Sequence, residues 1–163
     1  MIVVVMGVSG SGKTTVGTEL ASRLGTPFHD ADDFHTAECV EKMRLGQALT
    51  DADREPWLRR LAQLISELDE GGVLACSALK KEYRDILNNT PQTVRWVYLA
   101  GDKAEIGERL KRRKGHYMPP DLLDSQFDAL EIPDNALHVR INRSVGEIVD
   151  EIVDMLALPK GEE

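Results

Sequence analysis

The chain has 163 residues, 42% of them hydrophobic and 29% charged, enough to bury one core but too few for two, so residues 1–163 are expected to form a single domain. Its 20 lysines and arginines against 28 aspartates and glutamates give a net charge of −8. That excludes a general basic surface for nucleic acid or anionic lipid and confines any anion site to a local one. The apolar run Ile2 to Met6 is too short to span a bilayer and lacks the basic flank and cleavage site of a secretory signal. A cytoplasmic protein with no membrane partner is expected, and Cys39 and Cys76 then read as free thiols.

Met1 to Met6, closed by Gly7, reads as a strand buried on both faces of a parallel sheet. Beyond a glycine-rich turn, Val16, Leu20 and Leu24 recur at helical spacing until Gly25-Thr26-Pro27 stops them. Phe28 to Asp30 is expected to be a short second strand, followed by a polar helical stretch through Glu41, Lys42 and Met43 to Gly46. Thr50-Asp51-Ala52-Asp53 reads as a helix-starting cap, and Trp57, Leu61, Leu64, Ile65 and Leu68 line one face up to Gly71-Gly72. The spacing then predicts a strand at Val73 to Cys76, a helix at Leu79 to Leu87, a strand at Val94 to Leu99 and a helix at Asp102 to Arg113. Lys114 to Pro120 is rich in Lys, Gly, His and Pro; a short helix to Leu130, a strand at Ala136 to Ile141 and a final helix capped by Ser144 to Glu147 complete the chain. Five strand and helix units imply an α/β fold with a five-stranded parallel sheet covered on both faces.

The segment Gly7-Val8-Ser9-Gly10-Ser11-Gly12-Lys13-Thr14 matches G-x-x-x-x-G-K-[ST] in full, between an expected strand and an expected helix as that motif requires. Glycines let the backbone curl so that N–H groups point at phosphate oxygens, and the helix N-terminus adds the positive end of its dipole. Lys13 is placed to reach the β- and γ-phosphates of ATP and Thr14 to ligate Mg²⁺, with Thr15 completing the nucleotide-binding segment.

Three uses of such a loop compete. A GTPase would need a guanine-reading N-K-x-D, which the chain lacks, and the D-x-x-G match Asp69 to Gly72 closes a helix instead of a strand. A motor or transport ATPase would carry an apolar strand ending in Asp or Asp-Glu, whereas the third and fourth strands end in Cys76-Ser77 and Ala100-Gly101. A small-molecule kinase of the nucleoside-monophosphate-kinase type fits better: three layers, acidic groups after the second strand, and an arginine-rich lid after the fourth. The acids are Asp30-Ala31-Asp32-Asp33; strand alternation places Asp30 and Asp32 on one side, so that one could hold Mg²⁺ and the other accept the proton of an attacking hydroxyl. Within Glu108 to Lys114, Arg109 and Arg113 lie four apart on one helical face, suited to clamp adenine and the transferring phosphate, with a lid at about 114–121 closing to exclude water.

Further residues match a known family in order and spacing. They are Glu41-Lys42-Met43 with Gly46, Leu49 to Arg54 leading into Pro56-Trp57-Leu58, Ala75 to Lys81 with Tyr83-Arg84-Asp85, Gly115-His116-Tyr117, and Leu122-Leu123 with Ser125-Gln126-Phe127. From Val3 to about Pro133 the chain resembles gluconokinases of the P-loop type, whose fold is similar to that of shikimate kinase. The resemblance implies phosphorylation of D-gluconate at its 6-hydroxyl by ATP, usually in a homodimer. It also implies that Asp32 is the base or orienting group and Asp30 a Mg²⁺ holder, with Lys13 and Arg113 serving phosphoryl transfer. His35 and Arg54 become candidates for the gluconate carboxylate or hydroxyls, Arg54 offering either a carboxylate fork or an ion pair with Asp51. Ser77 and Lys80 follow the third strand, where open α/β sheets bind ligands. Arg84 is either acceptor-binding or a surface residue, as is Lys81, while His116 and Gln126 flank the lid as contacts for acceptor or phosphate. Trp57 and Phe127 read as core. The family usually shows His-Pro and then Asn before the Lys-Met pair where this chain has His35-Thr36 and Cys39, a departure that bears on acceptor choice and not on phosphotransfer. A kinase for a related sugar acid, polyol or shikimate-like acceptor is the second reading. A nucleotide-binding regulator without turnover is the third, and the acids and arginines argue against it.

Overall fold

Valine and isoleucine make Ile2–Met6 a strand, β1, and all five of its side chains are buried because both faces of the sheet are covered. The structure, a computed structural model, describes residues 1–112 and 120–157. In chain order, β1 is followed by α1 (Lys13–Leu24), β2 (Phe28–Asp30), a 3₁₀ turn (Ala31–Phe34), α2 (Ala37–Arg44), α3 (Asp51–Glu67), β3 (Gly72–Ala75), α4 (Lys81–Asn88) and β4 (Val94–Ala100). Then come α5 (Lys103–Arg112), α6 (Pro120–Ala129), β5 (Ala136–Arg140) and α7 (Val145–Leu156). The five strands form one parallel sheet in the order β2-β3-β1-β4-β5. Among the described residues no helix is long and apolar enough to cross a membrane.

Strand alternation divides the interior in two. Val3 and Val5 point to one face, where Val16, Leu20, Ile106, Leu123, Ile148 and Ile152 from α1, α5, α6 and α7 join them. Ile2, Val4 and Met6 point to the other, against Trp57, Leu61 and Ile65 of α3 and Tyr83 and Leu87 of α4. Trp57 is buried as expected and donates its Nε1–H to the Ala31 carbonyl at 2.7 Å.

Three local expectations are corrected. Asp30 and Asp32 do not share a side by strand alternation: β2 ends at Asp30, whose carboxylate accepts the Asp32 N–H at 3.0 Å and starts the 3₁₀ turn. The helix expected from Leu79 begins only at Lys81, because Ala78 adopts a left-handed φ of 45° and turns the chain first. The strand expected at Val73 to Cys76 runs one residue earlier, from Gly72 to Ala75. Arg113, His116 and most of the lid expected at 114–121 lie outside the described residues.

The departures at Thr36 and Cys39 have structural work. The Thr36 hydroxyl caps α2 by accepting the Cys39 N–H at 3.2 Å, and the buried Cys39 thiol donates to the Asp53 carbonyl at 3.2 Å, tying α2 to the start of α3. Thr50 and Asp53 close a capping box there, each side chain accepting the other's backbone N–H, while Lys42 of α2 reaches both Asp53 oxygens at 2.8 and 3.0 Å. The Lys42 ammonium first, and the Thr50 N–H second, hold the Asp53 carboxyl down at about 2. A carboxyl lowered on folding stabilises the fold fully above its unfolded value of about 4 and loses that contribution as pH falls through its folded value. The melting temperature of the wild type should therefore fall more steeply between about pH 4 and pH 2 than that of Asp53→Asn, the two curves converging at the acid end; parallel curves in a thermal melt series would sink this account.

Candidate active site

Lys13 opens α1 directly after Gly12, whose left-handed φ of 95° only glycine adopts without strain and whose carbonyl accepts the Val16 N–H at 2.9 Å. The Lys13 ammonium donates to the Val8 carbonyl at 3.1 Å, so it lies back across the loop mouth. Gly10, at φ 85°, is required sterically as well: a Cβ there would meet Leu110 of α5 at 2.8 Å. The loop is thus wrapped between β1, α1 and α5, with its N–H groups at the positive end of a twelve-residue helix.

Asp30 and Asp32 flank this loop. The Thr14 hydroxyl donates to Asp30 Oδ2 at 2.9 Å, which brings two hard oxygens together at the start of α1. Asp32 exposes 82% of its side chain yet stands 3.4 Å from Nε2 of His35, whose own side chain is 6% exposed and stacked on Trp57 with centroids 4.3 Å apart. The hydrogen bond with His35, more than the more distant charge of Lys13, holds the Asp32 carboxyl below its usual range. His35 Nδ1 is buried with no hydrogen-bond partner.

Across the mouth, Arg54 of α3 and Lys80 and Tyr83 at the start of α4 converge on a carboxylate, that of Asp51. Lys80 Nζ lies 3.2 and 3.3 Å from its oxygens, Arg54 Nη1 3.8 Å away, and the Tyr83 hydroxyl donates to it while accepting from Arg54 at 3.1 Å. Both cations also sit 5.6 Å from the Tyr83 ring centroid. Of the two options foreseen for Arg54, the ion pair with Asp51 is the one formed here. The Tyr83 hydroxyl and Lys80 lower the Asp51 carboxyl, and Asp51 raises Lys80 in return, so both stay charged at neutral pH. Ser77 lies half-buried in the turn that follows β3, while burial pushes the neighbouring Cys76 thiol up to about 12 and leaves it unreactive.

Arg84 differs from its expected role. It is 7% exposed, and its guanidinium donates to the carbonyls of Ala78 at 2.8 Å, Leu79 at 3.2 Å and Glu131 at 2.9 Å, so it holds the left-handed turn behind Ser77 instead of reaching an acceptor. Gln126 lies on Ser9 of the phosphate loop. Arg109 donates to the Ile141 carbonyl and lines a cleft of about 250 Å³ with Gly12, Thr15, Arg112, Arg143 and Val145. Arg112, Arg143 and Tyr83 went unselected in the sequence. Arg112 was hidden in a basic run; Arg143 lies beyond β5 at the C-terminal edge of the sheet, a position that could have flagged it.

A family model described as shikimate kinase matches residues 9–156 of the chain. A protein of Dictyostelium discoideum described as a probable gluconokinase is 44% identical over 96% of this chain and 86% of its own length. The thermosensitive gluconokinase of Escherichia coli (strain K12) is 43% identical over 91% and 83% respectively. A crystal structure of a gluconokinase from Sinorhizobium meliloti 1021 superposes with a TM-score of 0.89 at 40% identity, covering 96% of this chain and 91% of that one.

With three carbonyls on one buried guanidinium, Arg84→Ala should cost about 3 kcal/mol of stability, read as a lowered urea midpoint. An unchanged midpoint would mean that the turn at Ala78 does not depend on Arg84.

Proposed function

The chain belongs to the gluconokinase family, within the shikimate-kinase-like P-loop enzymes, and we propose that it transfers the γ-phosphate of ATP to the 6-hydroxyl of D-gluconate, giving 6-phospho-D-gluconate and ADP. The observation that carries the reading is likeness over nearly the whole chain to proteins described as gluconokinases. The site agrees with it in charge: two fixed cations and a phenol gather around a carboxylate across from the phosphate loop, an arrangement suited to an acceptor that is itself a carboxylate.

Phosphoryl transfer asks for alignment and charge neutralisation more than for covalent chemistry. The N–H groups of the loop and the α1 dipole hold the β-phosphate, and Lys13 swings from the Val8 carbonyl onto the β- and γ-phosphate oxygens. Thr14 and Asp30 fit Mg²⁺, since two hard oxygens suit an ion that retains several of its waters. When bound, that ion neutralises charge on the phosphate oxygens. Asp32, kept ionised and steered by His35, accepts the proton of the attacking hydroxyl, while Arg54 and Lys80 take the acceptor carboxylate and His35, through Nε2, borders the acceptor hydroxyls. Ser77 lines the acceptor side, and Arg109 with Arg112 and Arg143 borders the cleft for the nucleotide base. Arg113 and His116, outside the described residues, complete the phosphate and acceptor contacts in this reading, in a cytoplasmic homodimer.

The test is ADP release with Mg²⁺·ATP and D-gluconate, compared with shikimate, glucose, glucuronate, AMP and no acceptor. Gluconate should dominate; preference for another acceptor would refute the assignment. Asp32→Asn should lower kcat about a hundredfold while KM for ATP stays within about twofold. Because His35 lowers the Asp32 carboxyl, His35→Ala should move the acid limb of kcat/KM to higher pH, and an unmoved limb would separate the pair.

A further inference from the structure

The phosphate loop has a side-chain partner 117 residues further along the chain. The N–H of Ser9 donates to Oε1 of Gln126 at 2.7 Å, and Nε2 of Gln126 donates to the Ser9 hydroxyl at 2.9 Å. A backbone N–H can only donate, so the amide oxygen must face it and the amide nitrogen must face the hydroxyl; the orientation of the carboxamide is fixed by chemistry. Ser9 is therefore gripped at two points, while its neighbours Gly10 and Gly12 are the residues with the most backbone freedom in the loop. It also adjoins Val8, the carbonyl that Lys13 touches, and so lies at the end of the loop where the lysine meets the γ-phosphate.

The helix that carries Gln126 is braced independently. Leu123 is buried in the core, and the Leu130 N–H closes the helix on the Gln126 carbonyl at 3.0 Å. One residue on, Glu131 clasps the turn behind β3: its N–H donates to the Leu79 carbonyl at 2.8 Å, its carboxylate accepts the Lys81 N–H at 3.0 Å, and its carbonyl accepts from Arg84. One short segment thus touches the loop that holds the phosphate donor and the turn that carries Ser77 and Lys80.

We propose that Gln126 is a positioning residue for phosphoryl transfer, its carboxamide pinning Ser9 so that the γ-phosphate end of the loop stays in register with the acceptor turn. It acts through Ser9 and does not contact the acceptor. The proposal rests on the phosphotransfer reading given above. Losing the pair of neutral hydrogen bonds should leave nucleotide binding nearly intact but spread the γ-phosphate over poses that do not face the hydroxyl.

The experiment is a double-mutant cycle of Ser9→Ala and Gln126→Ala, with Gln126→Glu as a charge probe, following kcat, KM for ATP and melting temperature. Gln126→Ala should lower kcat about tenfold with KM for ATP within about twofold, and adding Ser9→Ala should lower it no further. Gln126→Glu keeps an oxygen for the Ser9 N–H but brings an anion towards the γ-phosphate, so KM for ATP should rise about fivefold. Multiplicative losses in the cycle, or a Gln126→Ala enzyme with wild-type kcat, would overturn the proposal. If Gln126→Ala does not fold, Ser9→Ala, which removes the bond to Nε2 of Gln126, decides it: a lowered kcat with KM for ATP within about twofold and an unchanged melting temperature supports the proposal, and wild-type kcat overturns it. A wild type that ignores gluconate would remove the acceptor assignment alone, and the same cycle would then be read on acceptor-independent ATP hydrolysis.

Discussion

A bed of backbone N–H groups can select a polyphosphate only while its peptide planes stay put, and in this molecule they are held by the central strand. β1 is hydrogen-bonded on both sides, to β3 and β4, and buried on both faces, so the loop springing from its end inherits a fixed origin. The chain winds from β1 to one edge of the sheet and then back across to the other, which opens a crevice at the C-terminal ends of the central strands. The acids after β2, the turn after β3 and the cleft beside the β5 to α7 connection all face that crevice because the sheet is parallel.

Electrostatics then supplies selectivity in a protein whose overall charge would repel its substrates. With a net charge of −8, attraction for ATP and a sugar acid must come from few, well-placed cations. Lys13 sits at the loop, Arg109, Arg112 and Arg143 border the cleft beside the start of α1, and Arg54 and Lys80 gather around Asp51, the side proposed for the acceptor. Asp51 keeps the last pair ordered around Tyr83, so two long side chains are already in place before an acceptor arrives and less conformational freedom is lost on binding.

The sheet and the phosphate loop were legible because they rest on short-range rules: a continuous apolar run, a fixed glycine spacing, a capping pattern. What the sequence hid were contacts closed by tertiary structure. Arg84 carries the same charge as an acceptor-binding arginine, and only its burial against three carbonyls distinguishes the two. Asp30 and Asp32 both reach the site, but through a 3₁₀ turn that strand periodicity does not foresee. Thr36 and Cys39 were read only as bearing on acceptor choice; the cap Thr36 makes is local, but the Cys39 bond to the Asp53 carbonyl exists only once α2 meets α3. Tyr83, buried on one side and hydrogen-bonded on the other, was matched by spacing alone, since its partners Asp51 and Arg54 lie on another helix.

The two-sided interior has a consequence for how such an enzyme can diversify. The helices that border the phosphate loop and the arginine-lined cleft, α1, α5 and α7, rest on one face of the sheet, while α3 and α4, which carry Arg54 and Tyr83 with Lys80 just before α4, rest on the other. The apolar side chains of the two layers meet chiefly through the strands between them, with Leu130 after α6 packing against both. Substitutions in α3 and α4 away from Leu130 and the Glu131 clasp therefore leave the other layer close-packed, and cores tolerate such repacking when volume is kept. On the proposed reading, acceptor preference is free to drift on one side of the sheet while the grip on ATP is inherited on the other, as long as the Glu131 clasp between them is kept.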